Sequence, residues 1–141
     1  MVICIQGLGF VGSATCVAVG LAKDKFSKKN FRIVGVEKAN TRGNEIIKKI
    51  NKGIFPFKSS DKKLKSSMKK INKMWILKAT SSTSIYKKAN IILVSINCDL
   101  ITVNGKKQVD LVNFKSSINE IGNKIKENTL LIIESTVPPG T

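Results

Sequence analysis

Residues 1–12 read MVICIQGLGFVG, and SATCVAVGLA follows directly. MVICI is apolar at every position and stops at a glycine turn, as a strand buried on both faces of a parallel sheet requires. Phe10 to Ala22 changes to small, helix-compatible residues. In a strand-turn-helix of this kind each glycine of GLGFVG has a task. Gly7 permits the tight turn, Gly9 lets backbone approach a diphosphate with no Cβ in the way, and Gly12 lets the helix pack closely on the strand. The amides of Leu8, Phe10 and Val11 lie in the same bend, where unpaired donors and the helix dipole favour an anion.

The glycine spacing alone is a weak signal, but its surroundings strengthen it. A second β-branched segment, FRIVGVE at residues 31–37, ends on an acid, Glu37, and the polar stretch KDKFSKKN at 23–30 joins it to the helix. That is one βαβ unit. A carboxylate at the end of the second strand accepts hydrogen bonds from ribose hydroxyls and repels a 2′-phosphate, so NAD is favoured over NADP. Lys38 and Arg42 stand nearby as cations able to accommodate that phosphate.

Further along, EIIKKINKG from Asn44 predicts a short helix ended by Gly53. The lysine-rich SSDKKLKSSMKKINK spaces Leu64, Met68 and Ile71 at helical intervals, with Asp61 or a neighbouring serine as cap. Its lysines read as the solvated face of an amphipathic helix. MWILKAT predicts a third strand, TSSTSIYKKAN a capped short helix, and IILVSI a fourth strand. A hairpin-like loop around Asn104 and Gly105 follows. Phe114 to Lys126 then supplies a helix with Phe114, Ile118, Ile121 and Ile125 on one face, and TLLIIE a fifth strand. Strands alternating with helices imply an α/β, Rossmann-like doubly wound parallel sheet in a single domain over residues 1–141.

Composition narrows the partners. The chain carries 25 Lys and Arg against 9 Asp and Glu, a formal net charge of +16. Only Arg32 and Arg42 are arginines, whereas bidentate base and phosphate readout draws on arginine, so a specific nucleic-acid role is not expected. The first 22 residues are uncharged. Glycines and Gln6 interrupt them and no basic segment precedes them, which speaks against a signal peptide or membrane span. Cys4, Cys16 and Cys98 share no metal-binding or disulfide spacing and no histidine is present, so no metal is expected and a cytoplasmic setting fits.

GLGFVG, VEKANTR, NKGIFPF, LVSIN and ESTVPPGT, in this order, resemble the UDP-glucose/GDP-mannose dehydrogenase family of NAD-dependent nucleotide-sugar dehydrogenases. The resemblance covers the whole chain and matches the N-terminal NAD-binding domain of those longer enzymes. It implies that Gly7 to Gly12 hold the pyrophosphate, that Glu37 and Arg42 hold the adenosine side, and that Asn97 and Cys98 line the cofactor. Ser135 and Thr136 would lie near the nicotinamide, where the family threonine helps to order the substrate and catalytic water. Thr136 is therefore the one catalytic candidate. Cys98-Asp99 departs from the family's usual Thr-Pro, and Glu37 replaces the commoner Asp.

Enzymes of that family oxidise the C6 alcohol of a UDP-sugar to a carboxylate through a thioester. Such chemistry needs a thiolate and a general base. The resemblance places the cysteine, lysine and asparagine that serve it in central and C-terminal parts with no counterpart here. Of the three cysteines, Cys98 alone sits at a strand end where ligands bind, and it reads as a small lining residue. The expectation is a truncated portion that binds NAD without turnover, lacking the central helix and substrate domain of a homo-oligomeric enzyme whose partner is a small nucleotide-sugar. The competing readings are a stand-alone nucleotide-binding or sensing module and a basic nucleic-acid binder.

Overall fold

The computed structural model describes residues 1–22 and 31–141. The linking stretch KDKFSKKN, expected as a polar loop, lies outside the described residues. The elements in chain order are β1 (Val2–Gln6), α1 (Phe10–Leu21), β2 (Arg32–Val36), α2 (Thr41–Asn51), α3 (Lys62–Lys73), β3 (Leu77–Thr80), a 3-10 helix (Thr83–Lys88), β4 (Ile91–Val94), β5 (Leu100–Val103), β6 (Lys106–Val109), α4 (Val112–Gly122) and β7 (Leu130–Ile133). Strands β3-β2-β1-β4-β7 form a parallel sheet in that order. The chain order reverses beside β1, with Ile3 in register with Ile33 on one side and with Ile91 on the other. At such a reversal the crossovers leave in opposite directions and open a crevice above the strand ends.

Alternation along β1 feeds two cores. Ile5 points into a cluster with Leu8, Val17, Ile33, Ile50 and Met68 beneath α1, α2 and α3. Cys4 points the other way, among Val36, Ile92, Tyr86, Phe114 and Ile121. Each fully buried aliphatic side chain contributes roughly 1.5–3 kcal/mol, which holds the layers against the sheet. Within the five-stranded sheet β7 departs from this pattern: it is one of the two outer strands, and Leu130, Ile132 and Ile133 remain exposed on it.

Boundaries differ from the sequence reading where side chains or special backbone intervene. The second helix starts at Thr41 instead of Asn44, because the Asn40 side chain accepts the Gly43 N–H at 2.8 Å and caps the first turn. Asp61 is the cap of α3, accepting the Leu64 N–H at 2.9 Å. The third strand is shorter than MWILKAT, since Met74 ends α3 and Trp75 turns left-handed at φ +56°. The short helix expected to be capped is a 3-10 helix whose N-cap residue, Ser82, makes no side-chain cap hydrogen bond, and α4 starts two residues earlier than expected and ends at Gly122. The hairpin-like loop is an antiparallel β5-β6 hairpin whose turn holds Asn104 at φ +50° and Gly105 at φ +74°.

Candidate cofactor cleft

A cleft of about 580 Å³ opens over the carboxyl ends of β1, β2, β4 and β7, at the point where the strand order reverses. Its floor is the glycine turn. Gly7 takes φ +89° with its N–H on the Val36 carbonyl at 2.9 Å, and a Cβ there would stand 2.4 Å from the Ser95 carbonyl oxygen. At Gly12 a Cβ would stand 1.9 Å from the Gly7 oxygen, so the helix meets the turn backbone to backbone. Gly9 has open space where its Cβ would be. The requirements read from the spacing are thus met differently at each glycine: two for internal packing and one for approach from outside.

Gly9 is the N-cap of α1, with φ −60° and ψ −170°, and its carbonyl accepts the Ser13 N–H at 2.9 Å. The N–H groups of the first turn that follows have no acceptor within the helix. These donors belong to Phe10, Val11 and Gly12, all of which line the cleft. No acidic side chain occupies this first turn. Phe10 is 49% exposed, and its ring meets Phe55 edge-on at 5.4 Å between centroids, with Phe57 at 6.0 Å, which anchors the IFPF turn against the mouth of the cleft.

Glu37 bounds the second wall. Its Oε2 accepts the Leu8 N–H at 2.7 Å and its Oε1 accepts the Lys38 N–H at 2.9 Å. Each oxygen retains a further acceptor position. The carboxylate therefore fixes the glycine turn from β2 and still presents acceptors to the cleft it lines. Arg42, in the first turn of α2, lines the same wall, and the Lys38 ammonium crosses the mouth to Asn113 Oδ1 on α4.

The far wall comes from the ends of β4 and β7. The Ser135 hydroxyl accepts the Ile96 N–H at 3.0 Å and lies 3.4 Å from the Val94 carbonyl, so it ties the two strand ends together. Thr136 lines the cleft beside it and is exposed. Asn97 donates to Asp99 Oδ1, and the Cys98 thiol lies 3.8 Å from the Ile96 carbonyl. Burial together with the carboxylates of Asp110 and Asp99 pushes the Cys98 thiol above its ordinary value, which keeps it protonated. Burial pushes Cys4 up to about 12 and raises Cys16 further. None of these thiols is arranged as a nucleophile.

The cleft brings together every expected site residue except Leu8. That side chain is fully buried in the core, and its N–H is held by Glu37. Residues that the sequence reading did not single out also line it, among them Asn113, Ser117 and Glu134, the last reached by the Thr15 hydroxyl at 3.5 Å. They come from α4 and from the end of β7, elements that meet the glycine turn only after folding. Among the described residues no cluster of potential ligands could hold a metal ion, and no helix is long and apolar enough to cross a membrane.

Residues 1–141 match the family described as UDP-glucose/GDP-mannose dehydrogenase family, NAD binding domain. A UDP-N-acetyl-D-mannosamine dehydrogenase of Methanocaldococcus jannaschii is 29% identical over 139 residues, covering 99% of this chain and 29% of its own length. One from Pyrococcus horikoshii is 26% identical, over 100% of this chain and 30% of its own. The crystal structure of an NDP-N-acetyl-D-galactosaminuronic acid dehydrogenase from Methanosarcina mazei superimposes with a TM-score of 0.86 at 21% identity, over 99% of this chain and 28% of that one. The likeness extends to the whole fold. The chain spans under a third of the length of these relatives.

Proposed function

This chain belongs to the UDP-glucose/GDP-mannose dehydrogenase family, whose NAD-binding domain it is, and from that premise we propose that its cleft is the cofactor half of an enzyme oxidising the C6 alcohol of a UDP-sugar to a carboxylate. The names of its relatives favour UDP-N-acetyl-D-mannosamine as that sugar. NAD, when bound, supplies the hydride acceptor.

One arrangement supports this role above all. The first-turn amides of α1 and the carboxylate of Glu37 face one cleft, and Gly9 leaves its floor open. Gly7, Gly9, Phe10, Val11 and Gly12 provide the bend that receives the diphosphate, and Leu8 contributes indirectly by fastening that bend to Glu37. Glu37 and Arg42 hold the adenosine ribose, with the carboxylate disfavouring a 2′-phosphate. Asn97, Cys98 and Ser135 bound the nicotinamide side. Thr136 faces the reacting end, where its hydroxyl orders substrate and water.

The thiolate and general base of a thioester route are supplied from outside residues 1–141, because the three thiols here are protonated or buried. Three free thiols suit a reducing cytoplasm. The domain on its own therefore binds NAD and does not turn over. Calorimetric titration with NAD and NADP, beside NADH absorbance in the presence of UDP-N-acetyl-D-mannosamine, tests both halves. Heat with NAD and no steady NADH production is expected. Absence of heat with NAD, or sustained turnover by this chain alone, would overturn the proposal.

A further inference from the structure

At the edge of the sheet opposite the cleft, Met1, Arg32, Met74 and Trp75 surround a groove of about 420 Å³ where the chain enters β1, β2 and β3. Trp75 is the chain's one tryptophan and is 89% exposed, with Met1 and Met74 also exposed beside it. Its backbone sits at φ +56°. The Trp75 N–H donates to the Asn72 carbonyl at 2.9 Å and the Ile76 N–H to the Ile71 carbonyl at 3.2 Å. That bond pair is a left-handed helix stop which glycine fills at least cost. An indole here gains nothing from burial and adds backbone strain.

The helix that ends at this indole is basic without relief. Lys62, Lys65, Lys69, Lys70 and Lys73 of α3 are exposed, and its twelve residues include no acid. Among the described residues the only salt bridge is Lys124 with Glu120 on α4, so the lysines of α3 meet no carboxylate of the described residues at ion-pair distance.

We propose that this rim docks on an anionic lipid bilayer, with Trp75 and Met74 entering the headgroup layer and Arg32 and the lysines at the C-terminal end of α3, Lys69, Lys70 and Lys73, meeting its phosphates. An indole is wet at one end and apolar at the other, which suits the interfacial layer. Basic residues beside it add attraction to anionic headgroups that salt screens. A nucleic-acid surface would draw on several arginines and several stacking aromatics, whereas this rim offers one arginine, lysines and one exposed indole. Docked this way, the cleft at the other end of the strands faces away from the bilayer.

The single tryptophan makes the test direct. The chain is titrated with vesicles of phosphatidylcholine alone and of phosphatidylcholine mixed with phosphatidylglycerol, with Trp75 emission and co-sedimentation recorded. A blue shift and sedimentation with the mixed vesicles only, fading as NaCl is raised, is expected. Trp75→Gly, and separately Lys69→Ala with Lys70→Ala and Lys73→Ala, should each weaken sedimentation on the order of tenfold. NAD titration of each variant, at a site remote from the rim, verifies the fold. Unmoved emission with mixed vesicles, undiminished sedimentation of Trp75→Gly, or binding to duplex DNA without binding to vesicles would each overturn the proposal.

Discussion

At the scale of single residues the cleft depends on two positions with opposite requirements, one that excludes atoms and one that supplies them. Gly12→Ala places a methyl group 1.9 Å from the Gly7 oxygen, and backbone cannot step aside as a side-chain end can. An overpacking cost of about 1–3 kcal/mol and loss of NAD binding are expected, measured by chemical denaturation and calorimetry. Glu37→Ala removes the acceptor of the Leu8 and Lys38 amides together with the proposed ribose contact. Hydrogen bonds to a charged group are worth about 1.5–3 kcal/mol, so NAD affinity should fall about tenfold or more while NADP loses less. The buried thiols give a pH dependence. Burial raises Cys4 and Cys16 from 9.0 in the folded chain, so the unfolded chain releases these protons first, and stability present below pH 9 is lost as pH rises toward 12. Between pH 8 and pH 10 the two thiols together should cost about 3 kcal/mol, read from urea midpoints, and Cys4→Ala should remove its share.

At the scale of elements the C-terminus of α3 offers a substitution that stabilises. Trp75 is in the left-handed region, where a side chain costs roughly 1–2 kcal/mol relative to glycine, and its exposure means that little packing is lost on removing it. Trp75→Gly should raise stability by about 1 kcal/mol, visible as a higher thermal midpoint. This same stop shows where sequence reading reaches its limit. MWILKAT is apolar and β-prone, yet its first two residues finish a helix, because the hydrogen bonds to Ile71 and Asn72 decide their backbone and leave no mark in hydropathy. The start of α2 was hidden likewise by the Asn40 cap. The glycine turn, the strand after it and the acid at Glu37 were readable, since Gly12 meets Gly7 and Glu37 meets Leu8 within one βαβ unit, whereas the Ser95 carbonyl that also confines Gly7 comes from the end of β4. Glu134 and Asn113 were not, because β7 and α4 reach the cleft only through the sheet order.

At the scale of the whole molecule charge and edge act on the same variable in opposite directions. A formal net charge of +16 accompanies a single salt bridge among the described residues, so the folded surface repels itself more than the expanded chain does. The Debye length shrinks from about 30 Å at 0.01 M salt to about 8 Å at 0.15 M, which silences most lysine pairs across the surface. Stability should therefore rise with NaCl over that range, on the order of 1 kcal/mol by thermal denaturation. The repulsion that weakens one molecule also keeps two apart, and β7 leaves Leu130, Ile132 and Ile133 exposed on an outer strand of unpaired backbone groups. Screening should thus promote association through that edge even as it steadies the fold. Light scattering that grows with NaCl, and that Ile132→Lys suppresses while the thermal midpoint still climbs, separates the two effects. Growth unaffected by Ile132→Lys would assign the association to another surface.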